Sequence, residues 1–324
     1  MAGINGKCQQ MQPSTYPIGP LWQGRIDAEE GPQAKRWHDV VNSPLAPTAV
    51  QPLALIGFCC DAGVFRNQGR VGASLGPAAL RQALANNAWH GNRAVFDLGD
   101  VVCQGDQLEA AQAELSKAVA EQLALARLPV VFGGGHEVAF GSWQGLRQRA
   151  LGMEKVPRIG ILNLDAHFDL RAGLSSSGTP FRQIADDCQT RGWPFQYACL
   201  GIAPLSNTAA LFERARGLNV WWREDRQMEP AHLPEIYTQL GDFIARCDQL
   251  YLSICLDVLP ASVAPGVSAP ATAGVALAVV EAIMDAAIAC GKLTLCEIAE
   301  LNPRFDIDAR TAKVAARLVA KLAG

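Results

Sequence analysis

An aspartate, a histidine and a second aspartate stand at alternate positions in Asn163-Leu164-Asp165-Ala166-His167-Phe168-Asp169, directly after the apolar run 159–162. Carboxylate and imidazole are the side chains that hold divalent metals. In extended chain alternate residues point the same way, so Asp165, His167 and Asp169 share one side for as long as the strand lasts. In parallel sheets, ligands gather at the C-terminal ends of strands. A solvated turn with scattered polar residues is the competing reading. Against it, three such groups on one face after a buried strand are costly unless something binds them.

A second pattern, Gly133-Gly134-Gly135-His136-Glu137, follows the apolar residues 130–132. Glycines after a strand often cradle phosphate, but neither Gly-x-Gly-x-x-Gly nor a Lys-Ser/Thr ending is present. The glycines more plausibly let the backbone turn tightly and present His136 at the top of a strand. A lone histidine is more often structural than ligating, and its place at a strand end moves His136 to the ligand side. In Leu252-Ser253-Ile254-Cys255-Leu256-Asp257, period-two alternation puts Ser253, Cys255 and Asp257 on one side, with Asp257 at the strand end. Glu297-Ile298-Ala299-Glu300-Leu301-Asn302-Pro303 follows another apolar run. Taken alone, either of these last two is ordinary strand-to-loop punctuation.

Groups so far apart in sequence need a scaffold that brings strand ends together. Apolar runs predict strands over 53–58, 94–98, 129–132, 158–163, 249–256 and 292–298. Helical spacing predicts helices over 78–86 with Pro77 in the first turn, then over 108–126, from about 138, and over 233–245, 275–289 and 309–322. Strands alternating with helices of this length indicate an α/β fold with a parallel sheet and helices on both faces. No Gly/Ser linker interrupts the rhythm, so residues 51–324 are expected to form a single domain. Residues 1–50 read as peripheral: a mobile tail over 1–20, a short helix around 33–41 and a Pro/Ala-rich connector over 43–51.

Composition narrows the function classes. Hydrophobic residues at 49% against 18% charged can fill a substantial core. The net charge of −3, without a basic run, argues against nucleic acid or an anionic membrane as the main partner. The ten cysteines are scattered and none forms a Cys-x-x-Cys pair, which suits reduced thiols in the cytoplasm better than a disulfide framework or zinc ribbon. Residues 1–20 lack the apolar core of a signal peptide, and no apolar run is long enough to span a membrane. His38, His90 and His232 fall in peripheral or loop segments, and Trp221-Trp222 marks core or an oligomer contact.

Taken together, the motifs resemble the ureohydrolase family, which includes arginase, agmatinase and formimidoylglutamase, from about Leu21 to the C-terminus. The resemblance implies a three-layer α/β/α sandwich around a mostly parallel eight-stranded sheet. It also implies a pair of manganese ions held by His136, Asp165, His167, Asp169 and Asp257. The formimidoylglutamase branch is the most similar, through Trp22-Gln23-Gly24-Arg25, the stretch 61–77, the stretch 133–141, Ser176-Ser177-Gly178-Thr179-Pro180-Phe181 and Pro265-Gly266-Val267-Ser268-Ala269-Pro270. Three departures stand out. Gly135 replaces the aspartate of Gly-Gly-Asp-His. Phe181 replaces a loop histidine of arginase-like members, so a proton-shuttle role does not carry over. The family's Ser-x-Asp-x-Asp here reads Ser253-Ile254-Cys255-Leu256-Asp257, without one bridging carboxylate. Cys255 either ligates as thiolate, which suits zinc or iron better than manganese, or is a small buried strand residue beside a weak or missing second metal.

The reaction this implies is hydrolysis of N-formimidoyl-L-glutamate to L-glutamate and formamide, a step of histidine degradation. In that scheme Asp169 moves the proton and Glu300 binds the cationic nitrogen end of the substrate. The two substrate carboxylates call for cations and hydroxyls, and Arg66, Arg70, Arg171, Ser176, Ser177, Thr179 and Arg182 lie in loops near the motifs. Any one of these arginines is equally well explained by a surface ion pair. Two alternatives remain open: an amidinohydrolase acting on a guanidino compound, and a silent metal-binding homologue created by Cys255. The family resemblance suggests a homo-oligomer.

Overall fold

Buried apolar runs alternating with amphipathic ones become eight strands and ten helices in the computed structural model, which describes residues 21–43 and 50–324. The expected tail over 1–20 and most of the connector over 43–51 lie outside the described residues. Helix α1 (Trp37–Val40) precedes β1 (Leu53–Cys59), α2 (Ala62–Arg66), α3 (Gly76–Ala85) and β2 (Val95–Val102). Next come α4 (Leu108–Ala124), β3 (Leu128–Phe132), α5 (Val138–Leu151) and β4 (Ile159–Leu164). The chain continues through α6 (Pro180–Arg191), β5 (Gln196–Ile202), α7 (Ala209–Gly217), β6 (Trp221–Glu224) and α8 (Leu233–Ala245). It closes with β7 (Gln249–Cys255), α9 (Leu277–Ala289), β8 (Leu293–Ala299) and α10 (Arg310–Lys321).

The strands form one sheet in the order β2-β1-β3-β8-β7-β4-β5-β6, and every neighbouring pair is parallel. Alternate strand residues feed two cores. Leu55, Phe132, Leu164 and Ile254 pack under α3, α8, α9 and α10, whereas Phe58, Val131, Ile161 and Tyr251 pack under α4, α5, α6 and α7. This is the three-layer sandwich, with central strands buried on both faces and hence apolar almost throughout. The chain passes from β3 to β4 across a gap that β7 and β8 later fill. The C-terminal ends of β3, β8, β7 and β4 therefore sit side by side, and each is followed by one of the motifs described above.

Two local differences from the expected elements have physical causes. Strand β2 runs on to Val102 because Arg81, fully buried, donates to both oxygens of Asp97 and to Asp100, neutralising carboxylates that would otherwise end the strand. Strands β5 and β6 complete the sheet where no separate element is expected from periodicity. Strand β5 carries Gly201 at φ 110°, and the edge strand β6 is four residues long and half charged.

Candidate metal centre

His136 hangs on a turn that is stitched to both neighbouring strands. Gly133 N donates to Ile298 O, Gly135 N to Cys60 O, and Glu300 N to Gly134 O. A Cβ on Gly134 would lie 1.7 Å from the Cys60 carbonyl oxygen, so only glycine lets the chain pass this close. The imidazole is 2% exposed. Its Nε2 lies 2.9 Å from Ser253 Oγ, and Ser253 Oγ donates to Glu297 Oε1 at 2.9 Å. With its one proton committed to Glu297, the serine accepts from Nε2–H, which leaves the ring's lone pair on Nδ1. That Nδ1 lies 2.9 Å from Asp165 Oδ2 and 2.9 Å from Asp169 Oδ2, yet it has no aligned hydrogen-bond partner.

Asp165 follows β4 and is held from two sides, accepting from His167 N at 2.7 Å and from Asn163 Nδ2 at 3.1 Å. His167 Nδ1 lies 3.2 Å from Asp257 Oδ2 and 3.5 Å from Asp165 Oδ1. Asp169 and Glu300 adopt left-handed backbone, at φ 50° and 70°, a conformation that non-glycine residues keep where the surroundings enforce it. Glu300 is so enforced: its Oε1 accepts from His136 N at 3.0 Å, and its Oε2 is buried without a partner. Two donor sets result, each compact enough for one ion. Asp165 joins His136 and Cys255 in the first, and His167 and Asp257 in the second.

The electrostatics of the cluster call for cations. No lysine or arginine among the described residues forms an ion pair with Asp165, Asp169, Asp257 or Glu300. Burial, with Asp165 adding to it, pushes the Asp169 carboxyl up to about 6. Burial followed by the charges of Asp257 and Glu137 pushes Glu300 up to about 8. Burial opposes charging of His136 and His167, but the carboxylates around them win and raise both rings well above the ordinary value. Asp165 is the exception, since the two imidazoles outweigh burial and hold it low. The Cys255 thiol is pushed up by burial and by Asp165, Asp257 and Glu300. An excess of buried acid with an unpartnered Nδ1 and an unpartnered Oε2 fits divalent ions.

A pH signature follows for the protein stripped of metal. Asp169, Glu300, His136 and His167 all have folded values above their unfolded ones. Each therefore stabilises the fold below its unfolded value and loses that contribution as pH rises through the folded value. Chelator-treated protein is expected to melt at progressively lower temperature from about pH 4.5, the ordinary glutamate value, to beyond about pH 8. Saturating divalent metal should flatten the trend by stabilising the ionised forms. Thermal scans across this window check it, and melting that rises with pH in the stripped protein would contradict the assignment.

Above the cluster lies a cavity of about 310 Å³. His136, His167, Asp169, Cys255, Asp257 and Glu300 form its base, and Asn67, Arg70, Arg171, Ser177 and Asn207 are among its walls. The Arg70 guanidinium stacks 4.0 Å from the Phe305 ring centre and donates through Nε to Ser268 O and through Nη2 to Val267 O. Its Nη1 has no partner among the described residues. Arg171 is anchored by its backbone to Gly178 O, and its side chain is exposed. Asn67 Nδ2 donates to Ser177 Oγ at 3.2 Å. The other sequence candidates do not line the cavity. Arg66 pairs with Asp106 and Glu109, and Arg182 with Asp186. Thr179 Oγ1 donates to Ser176 O and accepts from Ser176 N, which shapes the loop from within. Phe181 is fully buried, stacked on Tyr197 at 4.5 Å and edge-on to His136 at 5.4 Å, so it forms a dry wall.

A polar row beneath the donor sets has no counterpart in the sequence reading. Asn163, Ser253 and Glu297 are register partners across β4, β7 and β8, all fully buried. Asn163 and Ser253 each stand two residues before a candidate ligand on the same strand face, and that spacing is the available sequence signal. Asn207 gives none. Its Oδ1 accepts from Phe168 N while its Nδ2 donates to Ala166 O and Ala203 O, clamping the turn that carries Asp165, His167 and Asp169.

Comparison with known proteins gives the family and the fold. The arginase family model matches residues 51–324, and the chain belongs to that family. Within it, the chain is 57% identical over 305 residues to a formimidoylglutamase of Ralstonia nicotianae, covering 93% of this chain and 94% of that one. A formimidoylglutamase of Aeromonas hydrophila is 55% identical over 305 residues, covering 93% and 96%. The crystal structure of Trypanosoma cruzi formiminoglutamase with Mn2+ superposes with a TM-score of 0.73 at 25% identity, over 84% of this chain and 92% of that one. Formimidoylglutamase from Bacillus subtilis shares the fold, with a TM-score of 0.77 at 21% identity over 90% and 92%.

Proposed function

We propose that this chain is a metal-dependent hydrolase that cleaves the amidine C–N bond of N-formimidoyl-L-glutamate, giving L-glutamate and formamide. The observation that carries the reading is the pair of donor sets sharing Asp165, open to a cavity whose walls hold Arg70 and Arg171. His136, Asp165, Asp169 and Cys255 would hold one ion, and Asp165, His167 and Asp257 the other. Divalent ions held there would supply a water of lowered pKa as nucleophile at neutral pH.

The remaining steps belong to the protein's own side chains. Asp169, at the cavity base, takes the proton of the attacking water and returns it to the glutamate nitrogen as the C–N bond breaks. Glu300 has one oxygen fixed by the His136 amide, and its second oxygen receives the cationic amidine end of the substrate. Arg70, through its open Nη1, and Arg171 pair with the two substrate carboxylates, with the Ser177 hydroxyl beside them. Arg66, Arg182, Ser176 and Thr179 hold the surrounding loops. Acidic-substrate recognition therefore rests on two arginines. Arg70→Ala and Arg171→Ala are each expected to raise KM for formimidoylglutamate by roughly tenfold, the scale of one hydrogen bond to a charged group. Arg66→Ala should leave KM nearly unchanged. Steady-state kinetics decide, and an unaltered KM in both cavity variants removes this assignment.

Neither rival is favoured, since the 57% and 55% identical relatives both carry the formimidoylglutamase name. The direct test is metal content of protein purified with manganese, measured alongside glutamate and formamide release. Near two ions per chain with equimolar products supports the reading. Urea release from arginine or agmatine would select the guanidino alternative, and fewer than two ions per chain without turnover would select the silent one. A cytoplasmic setting suits a chain that keeps Cys60, Cys199 and Cys255 as buried, free thiols. Among the described residues, no helix is long and apolar enough to cross a membrane.

A further inference from the structure

The two donor sets differ in kind. The first offers imidazole nitrogen, carboxylate oxygen and the sulfur of Cys255; the second offers imidazole nitrogen and two carboxylates, Asp165 and Asp257. Cys255 is 1% exposed, ends strand β7 and lines the cavity base. The set around it also contains the buried His136 Nδ1, a ring nitrogen without an aligned hydrogen-bond partner. The thiol is thus one corner of a cluster aimed at a common point. Phe181, fully buried in the core, packs edge-on to His136, while the cavity opens over His136 and Cys255 on another side. Thiolate selects softer and borderline metals such as zinc, ferrous iron and cobalt, whereas carboxylate and water suit manganese and magnesium.

We propose that the centre is chemically split: the His136/Asp165/Cys255 position takes a borderline metal as a thiolate complex, and the Asp165/His167/Asp257 position takes a hard ion such as manganese. The inference rests on the two-ion reading above and adds to it the class of ion at each position. On ligation the Cys255 thiol gives its proton to water and its sulfur lone pair to the ion, with no change of oxidation state. Asp165 is the carboxylate common to both positions, so filling one orients an oxygen for the other.

Cobalt separates the possibilities because a cobalt–thiolate bond gives a near-ultraviolet charge-transfer band that oxygen and nitrogen ligands do not. Metal-free protein would be titrated anaerobically with Co2+ and read by absorbance, with bound cobalt counted independently. The expected result is a charge-transfer band that saturates at one equivalent while total binding reaches two. The band should be lost in Cys255→Ser and in Cys255→Asp, with Cys255→Ala as a third variant in case the polar replacements fail to fold. In competition, wild-type protein should retain one zinc per chain against excess manganese, and Cys255→Asp should release it. Two bound cobalt ions without the band overturn the split centre while leaving the two-ion hydrolase standing. A band that persists in all three variants assigns the sulfur elsewhere and also overturns it. Failure to bind cobalt at all removes the two-ion reading along with this one.

Discussion

Asp165→Asn is expected to empty both metal positions at once and to lower kcat/KM by more than the roughly 100-fold that losing a partner behind a ligand costs. Asp165 is common to the two donor sets. One of its oxygens lies 2.9 Å from His136 Nδ1, and the other accepts from His167 N and lies 3.5 Å from the His167 ring. Asparagine matches its size but carries no charge, and it turns one of those oxygens into a donor that no metal accepts. The two imidazoles hold the Asp165 carboxyl low, so its charge stabilises the stripped fold, and the stripped variant should melt lower than stripped wild type near neutral pH. Loss of both ions from the variant while it is still folded, below its own melting temperature, separates a ligand from a packing residue. Asp257→Asn, which touches one set alone, should cost a single ion. Elemental analysis and thermal scans of both variants check this, and full occupancy in Asp165→Asn would remove the shared-ligand arrangement.

Much of this was legible in the residues because strand alternation acts locally. Period two holds for Ser253 and Cys255 within β7, and helical spacing gives 233–245 for what is helix α8. Strand β4, however, ends at Leu164, and Asp257 lies in a 3-10 turn over Leu256–Val258, so Asp165, His167, Asp169 and Asp257 are placed by turns rather than by alternation. What depends on topology was not legible. Nothing in the sequence says that β7 and β8 fill the gap between β3 and β4, and only that placement brings Ser253 against Glu297 and His136. The arginines show the same limit. Arg66 ends helix α2 and Arg70 stands four residues later, yet Arg66 turns to Asp106 and Glu109 while Arg70 turns to the carbonyls of Val267 and Ser268. Which of them faces the cavity depends on partners about 40 residues away in one case and nearly 200 in the other.

Glu300→Gln should separate binding of metal from handling of substrate. Glu300 belongs to neither donor set, so the variant should keep two ions per chain. Glutamine can retain the bond from His136 N and the bond from its own N to Gly134 O, and so preserves the turn and its left-handed backbone. What it loses is the negative charge facing the amidine, in a water-poor site where one electrostatic contact is worth about 10²–10³ in rate. A fall of that size in kcat/KM at unchanged metal content is the expected result. The variant should also gain stability where the wild type loses it. Burial and the charges of Asp257 and Glu137 raise the Glu300 carboxyl to about 8. Ionising it in the stripped fold therefore costs stability progressively as pH climbs toward and beyond that value, whereas near pH 5 it is protonated and costs little. Stripped Glu300→Gln should accordingly melt higher than stripped wild type above about pH 8, with the difference closing toward pH 5. Wild-type kcat/KM would show that the amidine is held elsewhere. Lost metal would make Glu300 part of the metal's own support, and its position under the His136 turn would then matter more than its charge.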